Sequence, residues 1–276
     1  MIFVSTMSTG QKDVLKALDF LKSINISNIE LSAFHKQCSD LDKVVRFKKD
    51  NNANFTVHAF FPPSPDIKVF LNFGSSDHIL LKKYINYSKG ALEFCRKIDA
   101  LIYSVHAGYD SEVDLGANRL SDKISNDVKV FENTKNSLLE LTDYAARYGL
   151  RVAVENHSSQ DRYMFFSDPK DLLDLLNAVN AKNLGLLIDV AHLNIASRKL
   201  GFDFKKSLES VKDKVFEFHI HYNQGDCDEH RPLPEQSYVN LVPKDISKDT
   251  IFTLEGKDWS KDEILNSKSI LESLGF

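Results

Sequence analysis

The chain has 276 residues, of which 42% are hydrophobic and 27% are charged. This length suits one α/β barrel or two smaller domains, and either allows a large core. The formal net charge of -4 gives no long-range attraction to DNA or to an anionic membrane. No run of about 18 apolar residues is present, so the sequence predicts neither a membrane span nor a membrane partner.

Two features of the chain bear on its compartment. The N-terminal segment MIFVSTMSTGQKD has no basic stretch followed by a long apolar one, so no signal peptide is indicated. Cys38, Cys95 and Cys227 lack CxxC spacing, and a sparse, odd set is typical of reduced thiols. We therefore expect a cytoplasmic protein. Cys227 lies in a loop rich in Asp and His, and we interpret it as an incidental thiol rather than a metal ligand.

Short apolar or β-branched runs alternate along the chain with longer amphipathic stretches. The predicted strands are residues 2–5, 28–33, 55–58, 101–106, 150–155, 184–189, 215–221 and 250–255. Apolar residues at helical spacing lie between them, for example at 11–23, 78–96, 121–148, 168–179 and 261–274. Eight strands that alternate with helices predict a parallel sheet, and eight such units in this length predict a closed (β/α)8 TIM barrel.

The same pattern bears on domain organisation. A doubly wound open sheet is the competing fold, but the chain lacks the glycine-rich phosphate loop that would support it. No linker or low-complexity tract interrupts the alternation, so we predict a single barrel domain over residues 1–276. The loop at 223–242 is long and rich in Asp, Glu, Pro and His, and loops of this length are usually functional.

Side chains that can bind a metal ion close six consecutive predicted strands. They are His58, His106, Glu155, Asp189 with His192, His219 with His221, and Glu255, and the loop after the seventh strand adds Asp228 and His230. The C-terminal ends of barrel strands carry the chemistry in enzymes of this fold. Imidazole and carboxylate donors without thiolates suit zinc, manganese or iron better than magnesium. The set exceeds what one ion needs, so the sequence predicts a catalytic metal centre.

With these motifs the chain resembles the xylose isomerase-like barrel superfamily, which includes endonuclease IV and many sugar-phosphate isomerases and epimerases. The segment LNFGSSD also resembles the family. Endonuclease IV binds three zinc ions, and the resemblance implies three sites here: His58, His106 and Glu155; Glu155, Asp189, His219 and Glu255; His192, Asp228 and His230. The strand end HIHYN resembles a family motif whose first His binds metal, so we prefer His219 to His221 as the ligand.

Other segments depart from endonuclease IV. LSAFHKQC lacks the basic, amide-rich segment that enters abasic DNA, and ENHSSQDRY and RPLPEQSY replace small-residue, glycine-containing loops. The stretch HIHYNQGDCDEHRPL instead resembles a branch labelled sugar phosphate isomerase/epimerase. DNA is therefore a disfavoured partner, and we expect a small sugar phosphate or phosphodiester as substrate.

Three functions are compatible with this resemblance. The favoured one is phosphoester hydrolysis, in which Glu155 bridges two of up to three zinc ions and a metal-activated water attacks phosphorus. The alternative is a sugar (phosphate) isomerase or epimerase, in which one metal ion binds substrate and Glu155 and Glu255 exchange a proton. A non-catalytic sugar-binding protein is the third.

Four further residues are candidates for substrate binding. Arg231 and Lys257 are cations next to the metal loop and just beyond Glu255, where they suit a substrate phosphate, although exposed cations are common. His221 has the same strand parity as His219 and also faces inward. Glu30 faces inward by alternation, and we expect it either to contact substrate or to pair with a cation.

Overall fold

Eight parallel strands pair edge to edge into a closed barrel in the computed structural model, which describes residues 1–32, 35, 38, 40–64, 71–114, 119–124, 126–160 and 164–276. The strands are β1 (Ile2–Ser5), β2 (Asn28–Leu31), β3 (Asn54–His58), β4 (Ile102–His106), β5 (Ser111–Asp114), β6 (Arg119–Ile124), β7 (Arg151–Glu155), β8 (Leu184–Asp189), β9 (Val215–Ile220) and β10 (Ile251–Leu254). The order around the barrel is β1-β10-β9-β8-β7-β4-β3-β2, whereas β5 and β6 form a separate antiparallel pair. The predicted fold is therefore confirmed.

The strand predictions agree with the structure to within a few residues at each end. Most barrel strands are buried over nearly their whole length, because helices cover a parallel sheet from outside while the barrel interior is filled by side chains. Such strands read as continuous apolar runs, which explains why they stand out in the sequence. The predicted second strand extends to residue 33, which lies outside the described residues.

Helices surround the barrel and begin at its C-terminal rim. They are α1 (Val14–Ser23), α2 (Asp42–Asn51), α3 (His78–Lys97), α4 (Asp127–Ala146), α5 (Pro169–Val179), α6 (Val190–Leu200), α7 (Phe204–Val211) and α8 (Lys261–Ser273). None of the helices in the described part of the chain combines the length and the apolar character that a membrane crossing requires.

The predicted helix at 121–148 was wrong at its start. Residues 119–124 form β6, which pairs with β5, and α4 begins only at Asp127. The side chain of Asn126 caps the helix by accepting a hydrogen bond from the N–H of Val128 at 2.9 Å. An Asn at this position satisfies backbone donors that the first turn leaves unpaired, and it therefore ends the preceding extended segment.

The barrel interior changes character along its axis. One cluster of buried apolar side chains fills the part near the N-terminal ends of the strands: Phe3, Ile102, Ala153, Leu187 and Ile251. Because side chains alternate along a strand, Ala153 and Leu187 share their direction with Glu155 and Asp189 two residues later. The inward positions thus switch from apolar to ionisable as each strand reaches its C-terminal end.

Candidate metal centre

The C-terminal rim gathers all nine predicted metal ligands, together with His221 and Glu30. Sets of three with ligand atoms within 4.8 Å of one another are His58, His106 and Glu155; Glu155, Asp189 and His219; Glu30, His219 and Glu255; Asp189, His192 and His221; and His221, Asp228 and His230. The sets share members, so the side chains form one continuous cluster. Parallel strands bring this about because their C-terminal ends meet at the same rim.

The first part of the cluster centres on one oxygen of Glu155. Oε2 of Glu155 lies 2.7 Å from Nε2 of His58 and 3.2 Å from Nδ1 of His106. Nδ1 of His58 donates a hydrogen bond to the carbonyl oxygen of Ala59 at 3.2 Å, so Nε2 is the acceptor nitrogen of the neutral ring. Nδ1 of His106 is buried and makes no hydrogen bond to any described residue.

The second part surrounds His219, which is fully buried. Nδ1 of His219 lies 3.1 Å from Oε2 of Glu255 and 3.9 Å from Oε1 of Glu155. Its other nitrogen, Nε2, is 2.8 Å from Oε2 of Glu30. Glu30 thus fixes the ring so that Nδ1 faces the carboxylates.

The third part centres on Oδ2 of Asp228, which lies 3.1 Å from Nε2 of His192 and 3.1 Å from Nε2 of His230. Both imidazoles are tied through Nδ1 to backbone carbonyls, that of Asn156 at 3.1 Å and that of Glu255 at 2.8 Å. His230 has a φ of 49°, in the left-handed region that a side chain with a Cβ rarely adopts. The left-handed backbone thus occurs at the residue whose Nε2 contacts Asp228.

His221 lies between the second and third parts. Its Nε2 is 3.0 Å from Oδ2 of Asp189, and its ring stacks on that of His230 with centroids 4.0 Å apart. His221 is therefore in contact with the cluster, as is His219. The preference for His219 as a ligand stays a prediction, since the Nδ1 atoms of both His219 and His221 are buried and make no hydrogen bond to a described residue.

The donor set fits divalent metal ions. At His58, His192 and His230 the nitrogen that remains after the backbone hydrogen bond is an acceptor, yet it faces a carboxylate oxygen within about 3 Å, so a proton or a metal ion must lie between them. Mixed imidazole and carboxylate ligands are typical of zinc, manganese and iron.

The pKa values also indicate that imidazoles and carboxylates of the cluster stabilise each other's charged forms in the metal-free protein. Burial lowers the pKa of His58 and His230, but hydrogen bonds to Glu155 and Asp228 outweigh it and raise both to about 9. Burial raises the pKa of Glu255, but the neighbouring His219 outweighs it and lowers the value to about 2. In the absence of a metal ion, His58 and His230 therefore carry positive charge beside the carboxylates that they contact.

A hydrogen-bonded network holds the loop that carries Asp228. The backbone N–H of Asp228 donates to Oε1 of Gln160 at 2.7 Å, which links the loops after β7 and β9. The buried Asn223 donates to the carbonyl of Ala191 at 2.9 Å and accepts from the N–H of Gly225 at 3.1 Å. Gly225 has a φ of 94° and lies against Arg198, where a Cβ would come within 2.5 Å of that side chain. The long loop is thus locally ordered around one carboxylate.

Three residues that were predicted to bind substrate have surroundings that differ from those of the candidate metal ligands. Arg231 is exposed and forms an ion pair with Glu229, and the side chain of Lys257 is exposed to solvent. Their binding of substrate stays a prediction. Glu30 is fully buried and its carboxylate lies 2.8 Å from Nε2 of His219, and whether it also contacts substrate stays a prediction.

Other residues around the cluster were not selected from the sequence. Glu217 is fully buried and accepts a hydrogen bond from the hydroxyl of Thr253 at 2.6 Å. Its position two residues before His219 gave it the same inward parity, and this was the available signal. His157 is buried and stacks on Tyr109 with centroids 4.5 Å apart.

A closed parallel barrel with imidazoles and carboxylates clustered at its C-terminal rim is the architecture of a metal-site TIM barrel. The chain belongs to the xylose isomerase-like TIM barrel family, whose model matches residues 18–260. This match confirms the resemblance found in the sequence. It covers most of the chain, including every member of the cluster.

Two relatives are uncharacterized proteins of Methanocaldococcus jannaschii. One is 27% identical over 207 residues, which are 73% of this chain and 66% of the relative, slightly less than two thirds of its length. The other is 23% identical over 246 residues, which are 86% of this chain and 83% of the relative.

Solved structures share the fold at low sequence identity. A D-tagatose 3-epimerase-like protein has a TM-score of 0.79 at 21% identity, with 99% of this chain and 96% of that chain covered. The IolI protein with a bound zinc atom has a TM-score of 0.75 at 17% identity, with coverage of 99% and 97%. A D-psicose 3-epimerase, solved in the presence of D-fructose, has a TM-score of 0.73 at 12% identity, with coverage of 99% and 98%.

Proposed function

We propose that the protein is a metal-dependent isomerase or epimerase of a small sugar. The observation that carries this proposal is the approach of two carboxylates, Glu155 and Glu255, to the same nitrogen of His219, at 3.9 and 3.1 Å. Two carboxylates beside one substrate position are what a proton transfer at carbon needs, one as base and one as acid. The names of the similar epimerase structures support the same class.

The residues have distinct roles in this proposal. A divalent metal ion held by Glu155, Asp189, His219 and Glu255 would polarise the carbonyl and adjacent hydroxyl of the sugar. One of the two glutamates removes the proton from the carbon next to the carbonyl, and the other delivers a proton to the opposite face. Glu255 is ionised at neutral pH, which a base requires, because the neighbouring His219 outweighs the effect of burial and lowers its pKa to about 2.

The metal assignment is part of the proposal. We assign His58, His106 and Glu155 to a further ion, and His192, Asp228 and His230 to a third, with zinc as the first choice and Mn2+ or Fe2+ as alternatives. The interatomic distances around Glu155 and Asp228 support the assignment. The zinc-bound IolI protein supports the choice of metal. We also propose one domain over residues 1–276, because the barrel uses strands from residue 2 to residue 254.

Exchange of a carbon-bound proton tests the function directly. The zinc- or manganese-loaded protein is incubated in D2O with D-fructose, D-tagatose or D-psicose and their phosphates, and NMR follows deuterium incorporation and interconversion. We expect turnover in the wild type and a loss of about 100-fold or more in Glu155→Gln and Glu255→Gln. Glu209→Gln, an exposed change on the outer helix α7, is the control. Absence of exchange with every sugar contradicts the proposal.

Phosphoester hydrolysis, favoured by the sequence, is retained as a second candidate because of one observation. His192 and His230 converge on Asp228, which provides a third set of ligands that a one-metal isomerase does not need. In that reaction Glu155 would hold two ions and Glu255 would orient the substrate. Release of phosphate from sugar phosphates, or of nitrophenol from bis(p-nitrophenyl) phosphate, together with its loss in His230→Ala, separates this function from the first.

A further inference from the structure

The only tryptophan of the chain lies against the third part of the cluster. The side chain of Trp259 is buried, and its indole Nε1–H donates a hydrogen bond to the backbone carbonyl of His230 at 2.7 Å. A buried indole N–H needs a hydrogen-bond partner. Here the partner is the backbone of a candidate metal ligand.

The segment that follows β10 makes three hydrogen bonds with His230. Besides the indole of Trp259, the N–H of Lys257 donates to the carbonyl of His230 at 3.3 Å. Nδ1 of the His230 ring donates to the carbonyl of Glu255 at 2.8 Å. These bonds leave Nε2 of His230 to face Asp228 at 3.1 Å. One short segment therefore carries the candidate ligand Glu255 and fixes both the backbone and the ring of another.

Trp259 is itself fixed close to the strand end. Its backbone N–H donates to the carbonyl of Ser8 at 2.7 Å, and the hydroxyl of Ser8 accepts from the N–H of Gly256 at 2.8 Å. The indole packs directly on Gly256, where a Cβ would come within 2.0 Å of the ring. Such a close approach requires glycine at this position. The ring of Trp259 therefore contacts both the residue that follows Glu255 and the backbone of His230.

We infer that Trp259 is a positioning residue of the metal centre, which sets His230 relative to Glu255 and so couples the third set of ligands to the second. This inference rests on the proposed metal-dependent function and its assignment of ligands. The indole contacts the backbone on both sides, so a displacement of one ligand is passed to the other through a rigid ring. A tryptophan that only filled the core would stabilise the fold without changing which ions bind. The two roles therefore differ in their effect on metal affinity.

Metal affinity tests this role without a substrate. Trp259→Phe keeps an aromatic ring but removes the N–H donor, so we expect one zinc ion to bind about 10–100-fold more weakly in competition with a chromophoric chelator. Ile264→Ala is the control, because Ile264 is fully buried in the same apolar core on helix α8. It should lower the Tm but leave the zinc affinities unchanged. Wild-type affinities in Trp259→Phe, or an equal loss in Ile264→Ala, would overturn the inference.

The unaltered sequence allows a second test, because a single tryptophan reports on one position. Trp259 is replaced by 5-fluorotryptophan during expression, and 19F NMR follows its resonance as zinc is added to the metal-free protein. We expect zinc to shift the resonance, and the shift to be smaller in His230→Ala, which keeps the carbonyl but removes the ring that binds metal. The absence of a shift in the wild type, or an equal shift in a His230→Ala protein that has lost an ion, overturns the inference alone. A zinc content that is the same in His230→Ala as in the wild type contradicts the proposed metal assignment, and the inference falls with it.

Discussion

Nε2 of His219 lies 2.8 Å from Oε2 of Glu30, and both side chains are fully buried in the barrel. The contact joins β9 to β2 across the interior, since the two strands are not neighbours in the barrel. It fixes which nitrogen of His219 faces the metal centre, because the carboxylate holds the proton on Nε2 and leaves Nδ1 as the donor to a metal ion. Partners of this kind orient metal-binding histidines and increase their basicity.

Removal of the Glu30 carboxylate should weaken metal binding. We expect Glu30→Ala to lower the affinity for Zn2+ by about 10–100-fold, because His219 loses both its orientation and a neighbouring negative charge. Glu30→Gln retains a hydrogen-bond acceptor and should lose less. Competition with a chromophoric chelator measures the affinity. Glu209→Ala, at an exposed glutamate on the outer helix α7, is the control. Wild-type affinity in Glu30→Ala contradicts this role.

The number of bound ions should exceed one. Elemental analysis of protein purified without chelator is expected to give two to three ions per chain. His230→Ala should lose about one ion, since it removes a nitrogen that lies 3.1 Å from Asp228, and His58→Ala should lose another. Near-wild-type metal content and turnover in the double variant would exclude the trinuclear arrangement.

The stability of the metal-free protein should depend on pH between about 6.5 and 9. Burial lowers the pKa of His58, but its hydrogen bond to Glu155 outweighs it and raises the value from 6.5 to about 9. A raised folded-state pKa contributes stability that is fully present below pH 6.5 and is lost as the pH rises through 9. We therefore expect the Tm of EDTA-treated protein to fall over this range.

The stabilisation of the protein by bound metal should increase with pH, whereas the stability of the metal-free form falls. A metal ion displaces the proton from His58 and from His230, whose pKa is likewise raised to about 9, so binding strengthens as the pH rises. The difference in Tm between the loaded and metal-free forms should therefore widen from pH 6.5 to pH 9. Thermal unfolding followed by circular dichroism measures both forms. A difference that does not change with pH would show that metal does not compete with these protons.

Loss of Asn223 should release the loop that carries Asp228. The buried amide of Asn223 bonds to the backbone of Ala191 and Gly225 and accepts a hydrogen bond from Asn194 at 2.7 Å. Asn223→Ala leaves these groups without their partner, at a cost of about 2–3 kcal/mol. We expect a lower Tm and the loss of about one metal ion. The neighbouring exposed Gln224→Ala is the control, and similar effects of the two changes would argue against the network.

Much of the fold could be predicted from the sequence because the barrel strands are buried on both faces. Such strands appear as short apolar runs whatever their partners, and their alternation with helices leaves few topologies. The start of α4 could not be predicted in this way. The hairpin of β5 and β6 precedes it, and its pairing depends on contacts between residues that periodicity does not reveal.

The site was less fully predictable. The nine candidate ligands stand out because each lies at or just after the end of a strand or in the long loop, so position along the chain was sufficient to select them as candidates. The resemblance implied that Glu155 is shared between two sites, but the sequence did not show that His58 and His106 approach the same oxygen of Glu155, because this depends on where β3, β4 and β7 lie around the barrel. The sequence also did not show that Arg231 pairs with Glu229, because this contact depends on the path of the loop.

The sequence by itself determined that this protein is a closed barrel of the xylose isomerase-like family with imidazoles and carboxylates at the strand ends, because strand periodicity and residue type are local properties. Only the tertiary structure decided that Glu30 contacts His219, that Asp228 joins His192 to His230, and that the backbone of His230 is left-handed where its ring contacts Asp228. These relationships join residues far apart in the chain, or depend on a backbone angle that no pattern of residue types encodes. They exist only once the sheet closes and its rim brings the strand ends within a few ångströms of one another.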